Sequence, residues 1–140
     1  MKPSRPLASI APWEVRLHWS RLQPLLEKVL ALEAVDNRLE DVYQFLLSGK
    51  MQAWHGDWKL VVVTEVIPYG ADAQRPTKLV CNVTFCAGED VDSYLEEGLA
   101  QIEACARSLG CTEVRIVGRR GWTRKLQDYA AVSVTLRKRL

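Results

Sequence analysis

The chain has 140 residues, which is enough for one domain with its own hydrophobic core. Apolar residues make up 48% of it and charged residues 26%, a composition that excludes a wholly disordered protein. The net charge of +2 lacks the basic excess that is typical of a dedicated nucleic-acid-binding protein. No apolar run approaches the roughly 20 residues of a membrane span, so we expect a cytoplasmic protein without membrane contact.

The first elements along the chain are an arm and a helix. Residues 1–11 hold two prolines and two basic residues without periodicity, which predicts a flexible N-terminal arm ahead of a domain at 12–140. Residues 13–20 fit a strand and a helix equally well, and both interpretations stay open. Apolar residues at helical spacing then predict a helix over 21–33.

A second helix follows the capping pair at residues 36–37. Leu39, Val42 and Leu46 lie on one helical face, and Gly49 is typical of a helix end. Further on, the residues His55-Gly56-Asp57 predict a three-residue hairpin loop. This loop places Trp54 and Trp58 opposite each other as a cross-strand pair.

The longest predicted helix begins at Asp90, keeps apolar spacing to Leu109 and ends at Gly110. Alternating strand patterns flank it at residues 79–86 and 112–117, and a short helix over 122–130 and a strand over 132–136 follow. A strand–helix–strand unit requires the two flanking strands to be parallel. The element order therefore predicts one α/β domain with a mixed central sheet and helices on both faces.

Two sequence runs carry a resemblance to a known family. Residues 106–111 read Ala-Arg-Ser-Leu-Gly-Cys, and residues 118–122 read Gly-Arg-Arg-Gly-Trp. These runs, within a resemblance that extends over 36–140, are similar to GNAT (acetyltransferase-like) proteins of the bacteriophage and prophage type. The resemblance implies a single GNAT-like domain.

In the family that the chain resembles, the diphosphate of CoA binds a loop of the form Arg/Gln-x-x-Gly-x-Gly/Ala before the long helix. The matching residues here are Ala87, Gly88, Glu89 and Asp90, with one glycine and no arginine or glutamine. Each carboxylate would repel a phosphate at ~5 Å by about 3 kcal/mol at an effective dielectric constant of about 20. We therefore interpret Asp90 as a helix cap and expect no cofactor.

The candidate catalytic residues are two. Glu65 follows the apolar run at 60–63 and fits either a general base or an ion pair with Arg119 or Arg120. Tyr129 lies near the position of the family's general acid but late in its helix, which favours a packing role. The four cysteines form no Cys-x-x-Cys pair, so no metal site is expected.

The loop at 118–122 places guanidinium groups beside an indole. The candidate ligand- or partner-binding residues there are Arg119, Arg120, Trp122 and Arg124, and a purely structural turn remains the alternative.

The hypothesis that the sequence favours is a non-catalytic GNAT-like protein-interaction module, such as a phage virion or host-interaction component. It implies a protein partner or self-assembly. The first alternative is an acyl-CoA-dependent N-acetyltransferase with an atypical phosphate loop, which would use acetyl-CoA. The second is an anion or nucleic-acid binder that uses the basic cluster at residues 119–125.

Overall fold

One sheet organises the computed structural model, which describes residues 3–31, 37–70, 74, 75, 77–116, 125, 126, 128–130 and 138–140. In this part of the chain the strands are β1 (Ala8–Ile10), β2 (Met51–Gly56), β3 (Leu60–Tyr69), β4 (Lys78–Gly88) and β5 (Glu113–Ile116). The helices are α1 (Pro12–Leu17), α2 (Trp19–Leu30), α3 (Leu39–Ser48) and α4 (Leu95–Ser108). The strands lie in the order β1-β2-β3-β4-β5.

The sheet is mixed, as the sequence predicts. The pairs β1–β2, β2–β3 and β3–β4 are antiparallel, and the pair β4–β5 is parallel. Their register runs from Val80 beside Glu113 to Val83 beside Ile116. The predicted parallel pair is therefore confirmed, and α4 is the crossover helix that returns the chain in the same direction.

Helices cover both faces of the sheet, which confirms the predicted layers. On one face, the helices α1–α3 share a buried cluster with Val61, Val63 and Phe85 of the sheet. On the other face, Ile102 and Ala106 of α4 pack with Trp54, Val62, Cys81 and Val83. Within the described residues, no helix is long and apolar enough to span a bilayer.

The stretch that fits both a strand and a helix in the sequence, residues 13–20, is helical in the structure. Helix α1 begins at Pro12, whose fixed φ suits a first helical position, and Glu14 accepts a hydrogen bond from the backbone N–H of Ala11 at 3.1 Å. His18 leaves the helical conformation between the two helices, and α2 follows with Pro24 inside it. Helix α3 ends at Gly49 in the left-handed conformation, as predicted.

The predicted pairing of two tryptophans is wrong. Trp54 lies opposite Val62, and Gly56 pairs with Leu60, so Trp58 falls in the turn instead of in β3. Asp57 and Trp58 both have positive φ, 53° and 57°, and this tight turn sets the register of the hairpin.

The N-terminal segment differs from the predicted flexible arm, because its described residues are docked. Residues 8–10 form β1 and pair with β2. The backbone of Leu7 accepts from and donates to the side-chain amide of Gln101 on α4, at 2.9 and 2.7 Å. The side chain of Leu7 is buried against Gly98 of the same helix. Small size at Gly98 lets the segment lie directly on α4.

The predicted helix start at Asp90 is also wrong. Asp90 has a φ of 66° and forms no side-chain cap, and a single 3-10 turn, Val91–Ser93, separates it from the first residue of α4. The hydroxyl of Ser4 supplies the cap instead, accepting from the backbone N–H of Glu97 at 3.0 Å. Most of the predicted helix at 122–130 and strand at 132–136 lies outside the described residues.

Candidate functional site

A β-bulge in β4 marks the candidate site. Val63 pairs with Phe85 but the next residue of β3, Thr64, pairs with Val83, so Thr84 is an extra residue in β4. A bulge bends its strand and often lies beside a functional site. The last described pair between β4 and β5 is Val83 with Ile116, immediately before the bulge. In the described part of the chain, residues 85–88 pair with β3 alone.

Three polar residues lie beside the bulge on one face of the sheet. Glu65 pairs with Asn82 in the register, which brings their Cβ atoms to about 5 Å. The amide of Asn82 donates to the hydroxyl of Thr84 at 3.2 Å. Glu65 has the same orientation as Val63 two residues earlier, towards the face that α1–α3 cover. Glu65, Asn82 and Thr84, here called the bulge triad, are all half-buried.

The turn between β4 and α4 contains the four residues that the sequence singled out. Ala87 and Gly88 end β4, Gly88 has a φ of 123°, and the N–H of Glu89 donates to the carbonyl of Lys59 at 2.9 Å. The carboxylate of Asp90 accepts from the hydroxyl of Ser93 at 2.6 Å. The side chains of Glu89 and Asp90 are both exposed at this end of the sheet, where their charges would repel a phosphate.

A cavity of about 720 Å³ adjoins this turn. Its walls are residues 3–5, the outer side of α4 and its preceding turn, and residues 125, 126, 128 and 129. Its described lining has two basic side chains, Arg5 and Lys125, and four acidic ones: Asp92, Glu96, Glu103 and Asp128. Lys125 pairs with Asp92 at 2.7 Å. Arg5 and Lys125 attract an anion to this described lining by charge, whereas the four carboxylates repel it.

Tyr129 is held on α4. Its hydroxyl donates to the carboxylate of Glu103 at 2.9 Å. Burial, together with this hydrogen bond, raises the pKa of Tyr129. A tyrosine with a raised pKa is a weaker acid, so this geometry supports the packing role over the general-acid role.

Neither the remaining candidate residues nor the cysteines supply a reactive group that the structure describes. Arg119, Arg120, Trp122 and Arg124 lie outside the described residues. Burial raises the pKa values of the Cys81 and Cys86 thiols to about 11, which keeps both protonated near neutral pH. Among the described side chains, no three His, Cys, Asp or Glu residues are grouped to hold a metal ion.

Solved structures share this architecture over nearly the whole chain. The apo aminoglycoside 6'-N-acetyltransferase AAC(6')-IG from Acinetobacter haemolyticus matches with a TM-score of 0.65 and 11% identity, covering 97% of this chain and 99% of that one. The aminoglycoside N-acetyltransferase AAC(6')-Iy in complex with CoA matches with 0.64 and 11%, covering 99% and 98%. A Trypanosoma brucei acetyltransferase matches with 0.61 and 11%, covering 96% and 98%. The fold is that of the GNAT acetyltransferases.

No protein-family model and no curated protein sequence matches the chain. The GNAT neighbours overturn the hypothesis of a non-catalytic interaction module, because they are acetyltransferases and one of them holds CoA. Nothing in these comparisons supports a phage origin. The expected protein partner stays a prediction.

Two parts of this candidate site were missed in the sequence. Asn82 and Thr84 occupy the polar side of an alternating strand, a signal that is visible but common to many half-buried strands. Arg5 lies in a segment without periodicity, and no local pattern places it beside the turn at residues 88–94. Among the sequence candidates that the structure describes, Glu65 lies beside the bulge.

Proposed function

We propose that this chain is an acyl-CoA-dependent N-acetyltransferase. The observation that carries the proposal is the bulge at Thr84, where the regular pairing of β4 with β3 is interrupted. In the proposal, residues 85–88 of β4 offer backbone N–H and C=O groups along the edge away from β3. The pantetheine arm of acyl-CoA contains two amides, and an extended amide chain pairs with a free strand edge as an added strand does.

The bulge triad supplies candidate groups for the acceptor amine. An alkylammonium must lose a proton before its nitrogen lone pair can attack the thioester carbonyl. Glu65 is half-buried and opposite Asn82, and in the proposal its carboxylate accepts that proton. The new C–N bond forms as the C–S bond breaks, and the CoA thiolate leaves and takes up a proton from solvent. Asn82 and Thr84 orient the amine by hydrogen bonding.

The turn after β4 fits the diphosphate of CoA only in part. Gly88 ends β4 in a conformation that suits a phosphate-binding turn, but residues 89–94 separate it from the start of α4. Glu89 and Asp90 oppose a phosphate by charge, and Ser4 already uses the N–H of Glu97. We expect CoA to bind more weakly here than at a glycine-rich loop.

Binding is the first test. A thermal-shift titration with acetyl-CoA up to millimolar concentration should raise the melting temperature, because a ligand that binds only the folded state stabilises it. Desulfo-CoA serves as a second ligand that lacks the thiol. No shift with either ligand, together with no heat in calorimetry, would reject the proposal.

Transfer is the second test. Acetyl transfer from labelled acetyl-CoA to a panel of primary amines should be followed by chromatography, because the four free cysteines interfere with thiol reagents. Glu65→Gln should lower kcat by about 10²-fold or more, because the amide cannot accept the proton of the amine. Glu40→Gln, an exposed change on α3, is the matched control and should leave kcat unchanged. Equal kcat values for the two variants would exclude Glu65 as the base.

A further inference from the structure

We propose that the acceptor of this chain is a primary amine that carries a carboxylate within a few bonds, as a small amino acid does, and that Arg115 selects it. This inference rests on the proposed function and deepens it, because it names the substrate class of the same site. Its basis is a row of three side chains across three strands. A carboxylate lies at one end of the row and a guanidinium at the other.

The row follows from the register of β3, β4 and β5. Asn82 pairs with Glu65 of β3 on one side and with Arg115 of β5 on the other. Paired residues of neighbouring strands point to the same face, so all three side chains lie on the face that carries α1–α3. Two strand spacings, about 10 Å, separate the Cβ atoms of Glu65 and Arg115. All three residues are half-buried, which leaves each of them partly open to a ligand.

Neighbours on the same face hold the guanidinium of Arg115 in place. Its Nε donates to the carboxylate of Glu113 at 2.9 Å, and its Cζ lies 4.8 Å from the centre of the Tyr69 ring. Because β4 lies between β5 and β3, the contact with Tyr69 crosses β4. The guanidinium is therefore directed towards β3, the strand that carries Glu65, and the aromatic ring keeps the planar group oriented.

The charge at this end of the row is positive. The carboxylate of Glu113 also accepts from the ammonium group of Lys78 at 2.7 Å, so one carboxylate lies between two cations. The side chain of Arg115 is 32% exposed, so water weakens its contacts less than at an open surface. Glu113 engages the Nε of Arg115, and a guanidinium has further N–H groups on its terminal nitrogens, which bind a carboxylate as a fork.

The polarity of the row matches a short zwitterion. An acceptor with its ammonium group at Glu65 and its carboxylate at Arg115 meets an opposite charge at each end, and Asn82 hydrogen-bonds between them. Contacts of about 3 Å at both ends leave roughly 4 Å for the separation of the ligand's own charges, which a few bonds span. A polycationic amine brings further ammonium groups towards Arg115 and Lys78, which repel them.

Matched acceptors test the substrate class. Linear ω-amino acids from glycine to aminohexanoate are compared with alkylamines of the same length that lack the carboxylate, and with an aminoglycoside as the polycation. Transfer from labelled acetyl-CoA is followed by chromatography. With the wild type, the best amino acid should have a kcat/KM at least about 10-fold above that of its matched alkylamine, because a charge-assisted contact is gained. The aminoglycoside should be the poorest acceptor.

Three variants test the selecting residue. Arg115→Gln should raise the KM for amino acids by about 10-fold or more and leave the KM for alkylamines unchanged, whereas structural damage would impair both kinds of acceptor. Glu113→Gln breaks the same ion pair but keeps the guanidinium, so the preference for amino acids should persist or increase. Arg107→Gln removes an exposed arginine of α4 that pairs with Glu103, and as the matched control it should retain the preference.

The outcomes are distinct. If the wild type acetylates alkylamines or the aminoglycoside as well as the amino acids, the inference is overturned and the proposed function stands. If Arg115→Gln keeps the preference for amino acids, or if Glu113→Gln loses it equally, the guanidinium does not select the acceptor and the inference is overturned. If CoA binds but no amine of the panel is acetylated, the inference is overturned although CoA binding stands. If the protein neither binds CoA nor acetylates any amine, the proposed function and the inference both fail. Circular dichroism of each variant checks that the fold is retained.

Discussion

Gly88 at the end of β4 lies directly against the backbone of Lys59 in the hairpin between β2 and β3. The N–H of the next residue, Glu89, donates to the Lys59 carbonyl at 2.9 Å. A Cβ on Gly88 would overlap that carbonyl oxygen and lie 2.8 Å from the Cα of Leu60. The turn that enters α4 is therefore positioned by the hairpin, and its single glycine is a packing requirement as well as a conformational one.

Gly88→Ala should lower the free energy of unfolding by about 2–5 kcal/mol, because it adds both backbone strain and a steric overlap. Gly49→Ala is the matched control. Gly49 also has a positive φ, 82°, but a Cβ there meets no atom within 4 Å. Only the strain of about 1–2 kcal/mol remains at that position. Urea denaturation of both variants measures the difference, and equal losses would contradict the packing argument.

Asp90→Asn should tighten CoA binding by about three- to tenfold, because it removes one of the two carboxylates from the β4–α4 turn. Asparagine tolerates the φ of 66° and keeps an oxygen that accepts from the hydroxyl of Ser93. Isothermal calorimetry with CoA measures the change. Asp41→Asn, on the exposed side of α3, should have no effect. Unchanged affinity for Asp90→Asn would mean that the diphosphate binds away from this turn.

A buried hydrogen-bond chain crosses β2 and β3. The indole N–H of Trp54 donates to the hydroxyl of Thr64 at 3.2 Å, and that hydroxyl donates to the amide oxygen of Gln52 at 3.2 Å. Thr64→Val should cost about 1–3 kcal/mol of unfolding free energy, because the indole N–H is left without an acceptor.

The double-mutant cycle with Trp54→Phe tests this cause directly. The double variant should lose less stability than the sum of the two single losses. The reason is that phenylalanine has no N–H group that the Thr64→Val change could leave without an acceptor. Additive losses in urea denaturation would show that the indole hydrogen bond contributes nothing. Thr84→Val serves as a comparison, because the Thr84 hydroxyl accepts from the amide of Asn82 at a half-buried position. Its loss of unfolding free energy measures the same change outside the core.

His55 should make the stability depend on pH. Its Nδ1 accepts the backbone N–H of Trp58 at 3.1 Å, and its ring stacks on the indole of Trp58 at 3.7 Å between centres. Burial lowers the pKa of His55 below its ordinary value of 6.5. The unfolded chain then binds the proton more readily, so the stabilisation is present above about pH 6.5 and is lost as the pH falls through the lower folded value.

Urea denaturation at about pH 7.5 and about pH 5 measures this effect. The wild type should lose more stability between the two conditions than His55→Asn, which keeps an acceptor oxygen but does not titrate. His18→Asn, at the other histidine that contacts the Trp58 ring, should retain the pH dependence that His55 causes. An identical loss in the wild type and in His55→Asn would contradict the assignment to His55.

The sequence by itself determined the elements that depend on near neighbours. Apolar spacing, and a glycine just after the C-terminal end, predicted both α3 and α4. A helix buries one face, and it commonly ends where a residue can take a left-handed conformation. The strand–helix–strand order then fixed the parallel pairing of β4 with β5, since a crossover helix leaves one direction for the returning strand. The mixed sheet with helices on both faces followed from those local signals.

Only the tertiary structure decided where the candidate site lies. The bulge at Thr84 is a property of the register between β3 and β4, and register depends on two strands at once. The helix cap from Ser4 and the placement of Arg5 join residues about 90 positions apart, a separation that no local periodicity encodes. Trp58 was misplaced for the same reason, because the geometry of a turn settles the pairing of the strands it joins.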